Sequence, residues 1–125
     1  MPDIIYLPVE TLHSFMIDVF KGLDVPAQDA KTCADVLIES DLRGIESHGV
    51  GRFKMYYDRI KAGIQFPRTN LEIVKDEGAT AVVDGHHGMG HVIGVRSMQM
   101  AIDKARKYGL GSVAVRNSTH YGIAG

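Results

Sequence analysis

The spacing of apolar residues changes at Phe66–Pro67, and this change limits the folds that are open to the chain. Before this point, apolar residues recur every three or four positions, which is the period of an amphipathic helix. After it, two short runs rich in β-branched residues are separated by a glycine, a pattern typical of paired strands. We therefore predict a mixed α/β protein whose first part is helical.

Three helices are predicted before the break, each from a stripe of apolar side chains. The first follows Pro8, ends near Gly22 and has the apolar positions Leu12, Phe15, Met16, Val19 and Phe20. The second ends near Gly44 and has the apolar positions Ala30, Cys33, Ala34, Leu37 and Ile38. The third is predicted to run from Ser47, as its N-cap, to Gly63, with the core positions Val50, Phe53, Tyr57 and Ile60.

After the break the chain alternates strands with one long helix. Leu71 to Glu77 and Thr80 to Asp84 are predicted to form a hairpin, and Ser112 to Val115 a further strand. Between them, a fourth helix is predicted from Gly90 to Tyr108, with Gly109 as its C-terminal stop. Its core face is predicted to consist of Val95, Met98, Ala101, Ile102 and Ala105. Residues 121–125 are predicted to begin another helix.

Composition excludes several classes of protein. With 45% hydrophobic and 23% charged residues, the chain is typical of a globular domain. A formal net charge of -1 gives no general attraction to nucleic acid or to an anionic membrane, and no apolar run is long enough to span a bilayer. The single cysteine, Cys33, is predicted to be a buried thiol, which favours a reducing compartment and a cytoplasmic location.

The segment from Glu46 to Arg52 is the first candidate for chemistry. A histidine at a helix N-terminus, here His48, is favoured in its neutral form, which can act as a base. Arg52, one turn later, can grip a carboxylate with two parallel hydrogen bonds, and the phenol of Tyr56 lies on the same polar face. A solvated helix face capped by Ser47 is the alternative. Two glycines, at positions 49 and 51, indicate close approach of another backbone or of a ligand.

The second candidate is the segment from Asn117 to Gly122, which follows the last predicted strand. Ligands of α/β proteins bind at strand ends, where free N–H donors are presented. His120 lies there and is either a reactive group or a structural turn histidine.

A third histidine cluster carries a weaker signal. His86, His87 and His91 suggest a metal, but their spacing does not converge easily on one ion, and we predict no metal site. The stretch from Gly88 to Gly94 mimics a dinucleotide fingerprint, yet its last glycine is one residue late and no acidic residue follows at the required place. A tightly turning loop is the better interpretation.

Three stretches together resemble the malate/L-lactate dehydrogenase family, the type 2 group that includes sulfolactate, ureidoglycolate and 2,3-diketogulonate dehydrogenases. They are the Ser47-His48-Gly49-Val50 run with Arg52 and Tyr56, the turn from Asp84 to Gly90, and the run from Asn117 to Gly122. The resemblance extends over essentially the whole chain, in order and without large gaps.

This resemblance implies a fold and a set of site residues. The fold would be α/β but not Rossmann, with residues 1–66 a helical segment and residues 67–125 the beginning of a nicotinamide-binding α/β domain. The protein would be a homodimer that uses NAD or NADP and a small 2-oxo or 2-hydroxy acid. Site residues fall into catalytic (Ser47, His48, His120), substrate-binding (Arg52, Tyr56) and cofactor-binding groups (His120, Gly122, Ile123).

The resemblance also implies that the chain is the N-terminal part of a longer enzyme. Family members are considerably longer, and a later lysine and aspartate of their active site have no counterpart here, so the piece is expected to be inactive alone. The alternative is a non-catalytic dimerisation or regulatory module of the same architecture. A metal-dependent hydrolase built on the three histidines is the least favoured hypothesis.

Overall fold

A computed structural model describes residues 3–124, and its architecture is the mixed α/β fold that the sequence predicts. The helices are α1 (Val9–Gly22), α2 (Ala27–Leu42), α3 (Phe53–Lys61) and α4 (Gly90–Tyr108). The strands are β1 (Glu72–Glu77), β2 (Thr80–Asp84) and β3 (Ser112–Arg116). Two 3₁₀ turns, Glu46–His48 and Val50–Arg52, precede α3.

Helices α1 and α2 pack against each other and form most of the core. Each begins directly after a proline, Pro8 or Pro26, whose fixed φ suits a helix start and whose missing N–H leaves no unpaired donor there. Burial raises the pKa of the Cys33 thiol to about 12, with the charge of Asp29 as a second cause, and the predicted burial of this thiol is confirmed. The buried apolar cluster comprises Met16, Phe20, Val25, Ala30, Cys33, Ala34, Leu37, Ile38, Tyr56, Met89 and Val92.

The predicted third helix is shorter than expected. Ser47 does not cap it, because the chain first makes the two 3₁₀ turns and α3 begins only at Phe53. The expected orientation was also wrong at one pair of residues: Tyr56 is fully buried, whereas Tyr57 is 37% exposed. The 3₁₀ turns advance the chain with three residues per turn, so the phase of a continuous α-helix does not apply across them.

The three strands form one sheet in the order β1-β2-β3. Strands β1 and β2 are the predicted antiparallel hairpin, and β3 joins β2 in parallel after α4 has crossed over. Gly109 adopts the left-handed backbone that ends α4, as predicted. Within residues 3–124, no helix combines the length and apolar character that a membrane crossing requires.

Two predictions for the second half of the chain are wrong. The predicted core face of α4 is largely uncovered, since Val95, Met98 and Ile102 are 50%, 61% and 38% exposed. Periodicity identifies an apolar face, but burial also needs an element to pack on it. Residues 121–124 form no helix, and Gly125 lies outside the described residues.

The carboxylate of Asp84 ties the ends of β2 and β3 together. It accepts hydrogen bonds from the backbone N–H of His86 at 2.8 Å, from Nε of Arg116 at 2.8 Å and from Nδ2 of Asn117 at 3.1 Å. The His86 N–H above all, and then Arg116 and Asn117, lower the pKa of Asp84 to about 2. This carboxylate therefore fixes the point where the chain leaves β3 for the segment that carries His120.

Replacing Asp84 with Asn should lower the free energy of unfolding at neutral pH. It should also make this free energy depend less on pH in the acid range. Because the pKa of Asp84 is depressed in the folded chain, its stabilisation is complete above about pH 4 and is lost as the pH falls towards about 2. Urea unfolding between pH 7 and pH 2 measures this. Asp58→Asn, which removes an exposed partner of Lys54, is the control and should keep the wild-type slope. Equal slopes in both variants would contradict this role of Asp84.

Candidate active site

The structure brings together the two predicted site histidines, which are far apart in the sequence. The rings of His48 and His120 are stacked, with their centroids 5.4 Å apart and their planes 28° from parallel. His48 belongs to the first 3₁₀ turn, and His120 follows β3. Two imidazoles at this separation can both reach one small molecule.

A close approach by Asp41 shapes the segment that carries His48. Its Oδ2 accepts a hydrogen bond from the backbone N–H of Val50 at 2.9 Å. A Cβ on Gly49 would overlap the same carboxylate, so any other residue there would have to displace the Asp41 side chain. The sequence predicted that another backbone or a ligand approaches Gly49. The group that approaches is instead the side chain of Asp41, on α2. Gly51 has no such neighbour.

Arg52 is held along one edge. Its Nε donates to the carbonyl oxygen of Ser47 at 2.6 Å, and Nη1 lies 4.0 Å from the sulfur of Met55. Within residues 3–124, Nη2 has no hydrogen-bond partner. The hydroxyl of Ser47 lies 2.8 Å from Nδ1 of His48. Ser47, His48 and Arg52 are therefore one connected unit, and part of the guanidinium remains available to an anion.

Tyr56 connects this unit to His120. Its side chain is fully buried, and its hydroxyl oxygen lies 2.7 Å from Nδ1 of His120. Burial raises the pKa of Tyr56 to about 12, so the phenol stays protonated at neutral pH. The rings of Tyr56 and His91 make a T-shaped contact, with the centroids 4.9 Å apart and the planes 74° apart.

Arg59 is a site residue that the sequence interpretation missed. It lies one turn after Tyr56 on α3, and the spacing of Arg52, Tyr56 and Arg59 over two turns of helix could have indicated it. Burial first, and then the charges of Arg52, His48 and Arg59, lower the pKa of His120. His120 is therefore held towards its neutral form.

The start of α4 fixes the backbone on either side of His120. Oγ1 of Thr119 accepts a hydrogen bond from the N–H of Gly90 at 2.9 Å and donates one to the carbonyl of Gly88 at 2.6 Å. A Cβ on Gly90 would overlap the backbone carbonyls of Thr119 and His120. The loop that carries His120 thus lies directly on the helix N-terminus.

The predicted cofactor-binding residues lie beside the imidazoles. The N–H of Gly122 points at Nδ1 of His120, 3.3 Å away. Ile123 lines a cleft of about 1070 Å³, which is bordered also by Tyr121 and by α4. The cleft is mainly apolar.

His91 was assigned to the wrong cluster by the sequence interpretation. It faces Tyr56 and the cleft, whereas His86 is bound to Glu72 at 2.6 Å. Both ring nitrogens of His91 are buried without a hydrogen-bond partner in the described chain. Burial lowers its pKa to about 4. Over residues 3–124, no three His, Cys, Asp or Glu side chains are grouped closely enough to hold a metal ion.

Known proteins resemble this chain in sequence. Residues 7–125 match the malate/L-lactate dehydrogenase family profile. The chain is 47% identical to the L-sulfolactate dehydrogenase of Methanocaldococcus jannaschii over 119 residues, which is 95% of this chain and 35% of that protein. It is 50% identical to the malate dehydrogenase of Pyrococcus abyssi over 119 residues, which is 95% of this chain and 33% of that protein. The chain therefore belongs to the malate/L-lactate dehydrogenase family.

Solved structures agree with this assignment. The malate dehydrogenase from Pyrococcus horikoshii superposes with a TM-score of 0.94 at 46% identity, over 97% of this chain and 35% of that one. The sulfolactate dehydrogenase from Methanocaldococcus jannaschii superposes with a TM-score of 0.95, with the same identity and coverage. The chain spans about a third of the length of the relatives that it matches.

Replacing Gly90 with Ala should lower the free energy of unfolding by about 1–3 kcal/mol, the usual effect of forcing extra volume into a packed site. The added methyl group would push the backbone at Thr119 and His120 away from α4. Gly94→Ala in the same helix is the matched control, because its nearest neighbour outside the helix is Cβ of Tyr121 at 3.8 Å. Urea unfolding measures both variants. A Gly90→Ala protein as stable as Gly94→Ala would exclude the close approach.

His91 should make the fold sensitive to mild acid. Between about pH 6.5 and 4 the unfolded chain binds a proton at this ring and the folded chain does not, so stability should fall by up to about 3 kcal/mol across that window. His91→Leu should flatten this part of the curve. His13→Gln, at a surface histidine paired with Asp35, should not. The lowered pKa of His120 also reduces stability as the pH falls. The test is therefore the difference between wild type and His91→Leu in how the free energy of unfolding depends on pH.

Proposed function

We propose that the chain is the N-terminal part of an NAD(P)-dependent dehydrogenase that transfers hydride between a nicotinamide and a small 2-oxo or 2-hydroxy acid. The observation that carries this proposal is the stacking of His48 and His120 next to the partly free guanidinium of Arg52. Relatives named as malate and sulfolactate dehydrogenases, with which the chain shares 46–50% identity, support it.

Arg52 acts as the carboxylate clamp in this proposal. A guanidinium and a carboxylate form short, charge-assisted hydrogen bonds, and the contact of Nε with Ser47 fixes the plane of the fork before the acid binds. The acid would then be oriented with its carbonyl oxygen towards the imidazoles. Either His48 or His120 delivers the proton that this oxygen needs, with Ser47 holding the ring of His48.

The residues present suit the reactive ring of the cofactor better than its phosphates. The cleft is mainly apolar and is bordered by His91, Tyr121 and Ile123, and the two unpartnered nitrogens of His91 are suited to a carboxamide. The nicotinamide, when bound, gives or takes the hydride. By contrast, the first N–H of α4 is already bonded to Thr119, and the N–H of Met89 is bonded to Thr69. In this proposal the phosphates would therefore be bound away from this helix start.

Several further features belong to the same proposal. Residues 1–66 would form the helical segment and residues 67–125 the beginning of the nicotinamide-binding domain. The protein would act as a cytoplasmic homodimer, and the buried Cys33 thiol supports a reducing compartment. The choice between NAD and NADP, and between acids, would be made by residues outside this chain.

A chimera tests the roles of the histidines. Residues 3–124 replace the matching segment of the malate dehydrogenase from Pyrococcus horikoshii, and oxidation of NADH by 2-oxo acids is followed by absorbance. His48→Ala or His120→Ala should slow turnover, by about 10²- to 10⁴-fold at the proton donor. His13→Ala, at a surface histidine, should leave turnover unchanged. If neither site variant slows turnover tenfold, the acid/base assignment is wrong.

In the same chimera, Arg52→Lys should raise KM for the 2-oxo acid by about tenfold or more, because an ammonium cannot make the paired hydrogen bonds of a guanidinium.

The alternative is a non-catalytic dimerisation or regulatory module. The exposed apolar face of α4 is the observation that favours it. Binding of NADH to the 125-residue chain separates the two proposals, and the absence of tryptophan leaves NADH emission easy to follow. Saturable enhancement supports the dehydrogenase, whereas a stable dimer that ignores NADH supports the module.

A further inference from the structure

Nδ1 of His120 is approached by two hydrogen-bonding groups from different parts of the chain. The hydroxyl oxygen of Tyr56, on α3, is 2.7 Å away, and the backbone nitrogen of Gly122 is 3.3 Å away. Nε2 of the same ring makes no hydrogen bond within residues 3–124. The ring is therefore fastened through one nitrogen only, and the other remains available.

We propose that Tyr56 is a positioning residue that acts on the substrate through His120, by fixing the neutral ring with its proton on Nε2. This inference rests on the dehydrogenase proposed above only for its consequence in catalysis. The geometry around Nδ1 carries the assignment itself.

The backbone at Gly122 decides the direction of the hydrogen bonds. A peptide N–H can only donate, so a ring nitrogen at which it points must accept. A neutral imidazole has one donor nitrogen and one acceptor nitrogen. With Nδ1 as the acceptor, the proton lies on Nε2, and the Tyr56 hydroxyl donates to Nδ1 as well.

The burial of Tyr56 keeps this donor in place. The ring is enclosed in the core and packs edge-to-face with His91, with the two ring centroids 4.9 Å apart, so the hydroxyl has little freedom to turn away. Its high pKa keeps the phenol protonated throughout the neutral range. A phenol is also uncharged. A carboxylate in its place would favour the imidazolium, whereas the phenol leaves His120 in the neutral form that burial and the nearby cations favour.

This arrangement gives His120 a defined part in the proposed reaction. The neutral ring presents a fixed N–H at Nε2 to the oxygen of a 2-oxo acid, a hydrogen-bond donor that is in place before the substrate arrives. Because a neutral imidazole that gave this proton away would become an imidazolate, the transferred proton would come from His48. Tyr56 needs no contact with the substrate for this effect. A residue in the core thereby controls the orientation of a group in the site.

Nitrogen NMR of the 125-residue chain, labelled with ¹⁵N in the histidine rings, tests the assignment. In the wild-type protein above the pKa of His120, Nδ1 should resonate as an acceptor nitrogen and Nε2 as a protonated one. In Tyr56→Phe, the Nδ1 resonance should move towards the position of an acceptor nitrogen that has lost a donor. Tyr57→Phe, the adjacent and partly exposed tyrosine of the same helix, should leave the resonance unchanged.

Each outcome has a definite meaning. A wild-type spectrum with the proton on Nδ1 overturns the assignment, and it does so without any variant. An unchanged Nδ1 resonance in Tyr56→Phe, with amide spectra showing a folded chain, overturns the role of Tyr56. The readout does not depend on turnover, so an inactive chimera with the expected NMR pattern refutes the dehydrogenase and leaves the positioning role intact.

Discussion

The burial of Tyr56 is the constraint that links the core of this chain to its candidate site. Its side chain belongs to the buried cluster built mainly from α1 and α2, and its hydroxyl reaches the loop after β3. The helical half and the sheet half therefore contact each other at this phenol, as they also do where Asp29 of α2 pairs with Arg96 of α4. Any displacement of α3 relative to α2 would move His120 as well, so the packing that stabilises the fold also sets the geometry of the site.

Two close approaches complete this coupling. At Gly49 the carboxylate of Asp41 takes the volume that a side chain would fill, and at Gly90 the backbone after β3 does so. Each glycine is adjacent to a segment that carries an imidazole. Its missing side chain allows the neighbouring group to pack closely. The stacking of His48 on His120 is the result of these two approaches and of the parallel pairing of β2 with β3, which directs the chain back over α4.

Local patterns in the sequence predicted most of the fold. Helices α1, α2 and α4 and all three strands lie close to the predicted positions, because their signals are short-range: prolines and glycines at the ends, and a regular apolar spacing between them. The region from Glu46 to Phe53 was not predictable in this way. Its 3₁₀ turns depend on the tertiary contact between Asp41 and Val50, and the change of phase exchanges the environments of Tyr56 and Tyr57.

For the candidate site, too, local sequence features were predictable and contacts between distant residues were not. The candidate residues were identified from their types and from the family resemblance, but the pairing of Tyr56 with His120 and the isolation of His91 from His86 are long-range facts. The spacing of Arg52, Tyr56 and Arg59, four and three residues apart, places Arg59 on the same helix face and could have indicated it. Burial first, and then the nearby cations Arg52 and Arg59, disfavour the imidazolium of His120, so the site attracts an anionic acid while this histidine stays neutral. A donor that is neutral before the anion binds gives its hydrogen bond without a change in its own charge, and this neutrality follows from the burial of His120 and from the nearby charges.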